Sequence, residues 1–314
     1  MRAAYLISLV RFAVITTIVS IATMASAQAI SVPELRRAFP TVQAAVNAIG
    51  AGTGTVLIAA GTYDQCAVQA AGDVTYRATQ PGTVIFDGVA CEGKGALVLR
   101  GRSATVDGVV FQNIRVPDHN GAGIRLERGA LTVANSLFRN SEQGILSAND
   151  HQGSVTVDRS TFSRLGSCDY GNCSHSIYVN GTGLLTVTRS RFERGTGGHY
   201  LKSRMGRIAI DDNTFDDTLG RATNYMIDLS VGAVGRITGN LFIQGESKEN
   251  YSAFITVAPE GRDNPSTGLA IANNSARIAP GVERRTFFVA NWSGQRVEMT
   301  GNILGQGVYP YEAR

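Results

Sequence analysis

The stretch Leu131-Thr-Val-Ala-Asn-Ser-Leu-Phe138 returns as Val155-Thr-Val-Asp-Arg-Ser-Thr-Phe162, Leu185-Thr-Val-Thr-Arg-Ser-Arg-Phe192 and Ile208-Ala-Ile-Asp-Asp-Asn-Thr-Phe215. ATVDGVVF (104–111) leads into the series, and RITGNLF (236–242), LAIANNS (269–275) and VEMTGNIL (297–304) continue it with small slips. Phe111, Phe138, Phe162, Phe192, Phe215 and Phe242 recur at intervals of 23 to 30 residues. Each unit alternates apolar and polar residues, passes through a turn of Asn, Asp, Ser or Gly, and lands on a large apolar residue. One such unit cannot bury its apolar face alone, but a stack of them can.

The period excludes a leucine-rich repeat, which needs a Leu framework, and a propeller, which needs about 40 residues per blade. It predicts an all-β fold, a right-handed parallel β-helix. Residues 28–314 would form one domain of roughly ten coils, on the order of 50 Å long at one strand spacing per coil. Composition agrees: 36 Gly and only 17% charged residues among 314 fit short strands and tight turns better than a helical bundle. Upstream, Thr41 to Ile49 has helical apolar spacing and precedes the strand Thr55-Val-Leu-Ile-Ala59, which Gly61-Thr-Tyr63 ends. A helix there would cap the open end of the first coil.

Capping helix and coil series together, over about residues 35–305, resemble the right-handed parallel β-helix proteins of the pectate-lyase-like superfamily. The resemblance implies the fold and a link to polysaccharides, and leaves the activity open, because that superfamily holds lyases, hydrolases, epimerases, esterases and non-enzymatic adhesins. It also implies that Cys66 and Cys91 lie about one coil apart, where a disulfide would staple neighbouring coils.

The N-terminus reads as a secretory signal peptide over residues 1–27: charged Arg2, an apolar run from about Phe12 to Met24, then Ala25-Ser-Ala27. The expected location is periplasmic or extracellular, with no membrane association after cleavage. Four cysteines in such a chain favour disulfides over zinc ligation, and Cys168 to Cys173 reads as a small closed loop. A net charge of +4, part of it from Arg2 and Arg11, gives no argument for nucleic acid. Nothing in the sequence signals a stable trimer, and the expectation is a monomer.

A second strand series lies between the Phe-bearing segments: Gly123-Ile-Arg-Leu-Glu127, Gly144-Ile-Leu-Ser-Ala148, Ser176-Ile-Tyr-Val-Asn180, Tyr200-Leu-Lys-Ser-Arg204, Met226-Ile-Asp-Leu-Ser230 and Phe254-Ile-Thr-Val-Ala258. Strand alternation sends Ile124, Ile145, Ile177, Leu201, Ile227 and Ile255 inward. The outward columns then read Arg125, Leu146, Tyr178, Lys202, Asp228, Thr256 and Glu127, Ala148, Asn180, Arg204, Ser230, Ala258, with Tyr200, Met226 and Phe254 flanking. His175 and His199 head their strands one coil apart, and the cystine loop with Asp169 and Tyr170 feeds into His175.

That patch suits an acidic polysaccharide, since Arg pairs with carboxylates and Tyr stacks on sugar rings. The expected activity is β-elimination on a uronate polymer. Lys202 would be the base, Tyr178 the proton donor with His175 or His199 in reserve, and Arg125 or Arg204 would neutralise the carboxylate. Asn180, Asp228 and Tyr200 would complete the binding surface. Arg204 would lower the Lys202 pKa and Asp228 would raise it, and the sequence does not resolve which wins. The same parts would serve a uronate C5-epimerase, and a non-catalytic exopolysaccharide-binding module is the alternative of a different class. A glycoside hydrolase would need two flanking carboxylic acids, for which Asp228 with Asp169 or Glu127 is the sole candidate pair. The sequence assigns no cofactor and leaves the metal requirement open; calcium is an option, either with an arginine at the substrate carboxylate or at Asp211, Asp212, Asp216 and Asp217, where a solvated turn is the simpler reading.

Overall fold

The computed structural model describes residues 30–149, 152–168, 171 and 173–314. The expected signal peptide (1–27) and the loop residues Asp169 and Tyr170 lie outside the described residues. Among those described, three sheets, parallel apart from two strands at the N-terminal edge of the first, wind into a β-solenoid, one of twelve strands and two of ten, making about nine turns.

Each repeat unit contributes two strands. Val155–Asp158 belongs to the first sheet and Thr161–Ser163 to the second, with Arg159 between them in the left-handed region at φ 44°. Gly108, Asn135, Arg189, Asp212, Gly239, Asn273 and Gly301 take the same conformation at the equivalent corners. The next residue at most of these corners is a buried Ser or Asn that bonds along the axis. Asn240 Oδ1 accepts from the Asn213 backbone N–H at 2.9 Å, and its Nδ2 donates to the Ile210 carbonyl at 2.8 Å and to Asn274 Oδ1 at 2.9 Å. Ser136, Ser160, Ser190, Asn213, Asn240, Asn274 and Asn302 thus form a ladder that satisfies backbone groups which the sharp corner strips of sheet partners.

The aromatic series stacks inside the second sheet. Phe111, Phe138, Phe162, Phe192, Phe215 and Phe242 are buried, with successive ring centroids 4.7 to 5.0 Å apart and nearly parallel. Phe86 and Tyr63 extend the stack toward the N-terminus. Gly61–Tyr63 is therefore the first strand of the second sheet, where the sequence reading had it as the end of the preceding strand. Opposite the rings, a Cβ on Gly123 would sit 2.6 Å from Phe138, so only glycine leaves the ring its space.

The capping helix spans Val42–Ile49, with the Thr41 side chain accepting from the Ala44 N–H at 3.1 Å. It buries Val42, Ala45 and Val46 against the first coil. Two short antiparallel strands, Ile30–Val32 and Arg37–Phe39, continue the first sheet beyond Thr53–Ile58, an addition that the sequence did not announce. Cys66 and Cys91 are joined, as are Cys168 and Cys173.

Candidate active site

The third sheet holds the second strand series in the expected register. Ile124, Ile145, Ile177, Leu201, Ile227 and Ile255 are paired in turn and fully buried. Outside them run Arg125, Leu146, Tyr178, Lys202, Asp228 and Thr256, also paired in turn. Adjacent strands are about 5 Å apart, so Tyr178, Lys202 and Asp228 share one cluster.

This outward face is not open to water. Lys202 is 7% exposed, Asp228 1% and Thr256 0%, because connecting segments fold back across the sheet. One of them brings in Glu260, a residue absent from the sequence-based site. Its carboxylate bridges two cations, with Oε1 on Lys202 Nζ and Oε2 on the Arg204 guanidinium. The same segment is tied down by Asn264, which donates to the carbonyls of Arg204 and Gly232. No periodic signal pointed to it: the strand ends at Val257, and Ala258, in the left-handed region at φ 60°, packs into the core, so the outward alternation stops before Glu260.

Asp228 lies on the other side of Lys202, with Oδ2 at 3.3 Å from Nζ. Its oxygens also accept from Ser230 Oγ and Thr256 Oγ1, both at 2.8 Å. Fully engaged and buried, Asp228 positions Lys202 and offers little to a ligand. Burial pulls the Lys202 ammonium down, but Asp228 and Glu260 outweigh it and hold its pKa above the ordinary lysine value. The two carboxylates thus favour the charged form of Lys202, the direction in which the sequence had placed Asp228.

Tyr178 is half-buried, its ring 5.5 Å from Lys202 Nζ and its oxygen accepting from Arg204 Nε at 3.0 Å. The hydroxyl proton is thereby turned away from Arg204. Behind it, His175 Nδ1 accepts the His199 backbone N–H at 3.0 Å, which puts the His175 proton on Nε2. His199 Nδ1 is 3.2 Å from that same nitrogen, and His199 Nε2 faces Asp228 at 3.8 Å. Desolvation, then neighbouring positive charge, depresses both imidazoles well below the usual histidine pKa, so both are neutral. Gly198, at φ 60° and with Ser174 O only 2.1 Å from where a Cβ would be, lets the chain turn into His199.

Three expectations shift. Tyr200 does not face outward: it is 1% exposed and its hydroxyl donates to Asp217 at 2.7 Å. Like Met226 and Phe254, it lies just where the second sheet bends into the third, and that bend rotates it into the core. Arg125 lies on the same face but three strands from Lys202, near Glu127 at 3.8 Å, and Glu127 is itself held by Lys94 and Arg100. Asn180 sits at the rim, its N–H bonded to Ser147 Oγ at 2.8 Å.

The four aspartates 211, 212, 216 and 217 do not converge. Asp211 pairs with Arg236 and Asp216 with Arg191, while Asp212 occupies a corner. Asp217 is fully buried against Lys248, not in a solvated turn. Among the described residues, the one grouping at metal-ligand distances is Cys168, Cys173 and Glu249, whose two sulfurs are already joined.

A family model described as "Right handed beta helix region" matches residues 94–279. The chain belongs to the right-handed β-helix family. No curated protein matches it by sequence. Among solved structures, a chain titled Geobacillus virus E2 ORF18 is similar, at 15% identity and a TM-score of 0.50 over 87% of this chain. That likeness is one of fold, and this chain spans only 56% of the viral one. The Azotobacter vinelandii mannuronan C-5 epimerase AlgE4 A-module aligns at 10% identity over 87% of this β-helix and 94% of its own length. Its TM-score of 0.24 is too low to bear on function.

Proposed function

We propose that this β-helix protein works on acidic, uronate-containing polysaccharides outside the cytoplasm, and that its reaction is β-elimination. The observation that carries the reading is the bridge made by Glu260. A single carboxylate, one oxygen on Lys202 and one on Arg204, is held by two fixed cations beside the Tyr178 phenol. A uronate carboxylate that displaced Glu260 would meet the same two cations.

The chemistry follows from the charges. Neutralising the carboxylate acidifies the C5–H bond. A neutral base removes the C5 proton, the C4=C5 double bond forms, the C4–O bond breaks, and the leaving oxygen takes up a proton. Lys202 and Arg204 hold the carboxylate. His199 is the neutral imidazole nearest the Lys202–Asp228 pair, and its Nε2 is the proton acceptor. Tyr178 supplies the proton to the leaving oxygen. The two disulfides support an oxidising compartment.

The test is ultraviolet absorbance of the conjugated C4=C5 product on a panel of uronate polymers, run in deuterated water. Rising absorbance supports elimination. Deuterium at C5 without absorbance replaces it with epimerisation, and neither signal with measurable affinity replaces it with binding alone.

A further inference from the structure

The two ends of the solenoid are finished differently. At the N-terminal end the capping helix closes the edge of the third sheet, whose first strand is Ala67–Gln69. Gln43 Oε1 accepts the Val68 N–H at 2.7 Å, and Gln43 Nε2 donates to the Val68 carbonyl at 3.0 Å. At the C-terminal end Glu298–Thr300, Ile303–Leu304 and Val308–Ala313 are the last strands of the three sheets, each with a neighbour on one side only. Among the described residues, no side chain bonds to the backbone of these three strands. The corner ladder stops here too: Asn274 N–H donates to Asn302 Oδ1 at 3.0 Å, and no further rung among the described residues receives the Asn302 N–H.

This end is apolar as well as unpaired. Register sets Met299 beside Ile271, Leu304 beside Ala276 and Tyr311 beside Val289, all of them core positions one coil back. In the last coil none is fully buried: Tyr311 is 40% exposed, and Met299 and Leu304 are half-buried. Val297, Met299, Tyr311 and Ala313 line a cavity of about 760 Å³ at this end, together with Arg296 and Glu298. Those two charged residues are exposed, and neither side chain makes an ion pair or hydrogen bond among the described residues. A solenoid end with open strand edges and open core positions calls for a cover.

We infer that the cover is a second copy of this chain, docked end to end in a two-fold dimer. A two-fold axis perpendicular to the solenoid turns the last coil of one subunit against that of the other with their strands antiparallel, so the open edges face groups they can pair with. An axis through Val297 sets Arg296 opposite Glu298 of the partner subunit and Glu298 opposite Arg296 of the partner subunit, as a self-complementary interface requires. Both unpaired charges are thereby answered twice. A partner of a single sign would meet one of the two as a like charge. The open core positions of the two last coils then shield one another from water. The contact lies four strands from the one that carries Lys202, and it is independent of the proposed activity.

The experiment is sedimentation equilibrium of the full chain over a wide range of protein concentration. The parent should show a monomer–dimer equilibrium. Arg296→Glu places two pairs of like charges across the axis and should weaken the dimer about tenfold or more. Arg296→Glu/Glu298→Arg restores opposite charges in reversed order and should return the affinity to within about threefold of the parent. Arg221→Glu makes the same charge change at an exposed position in the middle of the solenoid and should leave the dimer as it is. A parent that stays monomeric at every concentration, a dimer indifferent to Arg296→Glu, one weakened equally by Arg221→Glu, or a double reversal that recovers nothing would each overturn the end-to-end contact.

Discussion

Lys248 and Asp217 form a 3.1 Å ion pair with neither side chain exposed to solvent. Tyr200 and Thr223 hydroxyls donate to the same aspartate, at 2.7 and 2.8 Å, and Thr223 accepts from Lys248 at 2.9 Å. Burial lowers the Lys248 pKa and outweighs the opposing pull of Asp217. The pair anchors the turn that precedes the third-sheet strand of Asp228, so its integrity reaches the candidate active site.

Breaking that pair from one side should be costly. Lys248→Met leaves Asp217 charged in a dry site and should lower stability by about 3–5 kcal/mol. The double variant Lys248→Met/Asp217→Asn should recover a large part of that loss. Chemical denaturation of the two variants against the parent checks it; equal losses would mean that packing, not charge, dominates there.

Glu260 should behave as a competitor for the two cations it bridges. Its side chain is 37% exposed, so Glu260→Gln should change stability by under about 1 kcal/mol. Freed of the bridging charge, Lys202 and Arg204 should bind uronate oligosaccharides about tenfold more tightly, whereas Arg204→Ala should abolish the gain. Titration calorimetry with galacturonate and mannuronate oligomers measures both. Weaker binding in Glu260→Gln would recast this carboxylate as a ligand contact.

Much of this site was legible beforehand, for a physical reason. Strand alternation has a fixed period of two, so aligning Ile124 through Ile255 placed Tyr178, Lys202 and Asp228 side by side without coordinates. What lay between strands was not legible. Glu260 and Lys248 reach the site from turns whose lengths vary from coil to coil, and no periodic rule says which way they fold. Tyr200 failed for a related reason: alternation holds within a strand and breaks at the bend, where side chains on either side of the corner face inward.

The two histidines predict a pH dependence of stability. Their folded pKa values lie below that of an unfolded histidine, about 6.5. Between the folded value and about 6.5 the unfolded chain binds more protons, so stability rises with pH in that window and is lost as pH falls through it. Each histidine contributes at most about 1.4 kcal/mol per pH unit. Urea unfolding from pH 8 to pH 5 should show the decline beginning near pH 6.5. In His175→Asn, whose Oδ1 can accept the His199 N–H, the slope should be shallower.

The Ser/Asn ladder offers a test of how stability is distributed along the solenoid. Asn240 is 1% exposed, accepts from the Asn213 backbone and amide, and donates to Ile210 O and Asn274 Oδ1. Asn240→Ala strips a backbone N–H and a carbonyl of partners inside a dry corner, at a cost of about 2–4 kcal/mol. Asn302 stands at the last rung, partly exposed, with no further rung to support. In a stack where each coil contacts only its neighbours, a defect in the middle weakens two interfaces and one at the end weakens a single interface. Asn302→Ala should therefore cost less than half as much, and hydrogen exchange should show its loosening confined to the last coil. For Asn240→Ala the loosening should spread to the coils on both sides, including the strand that carries Asp228.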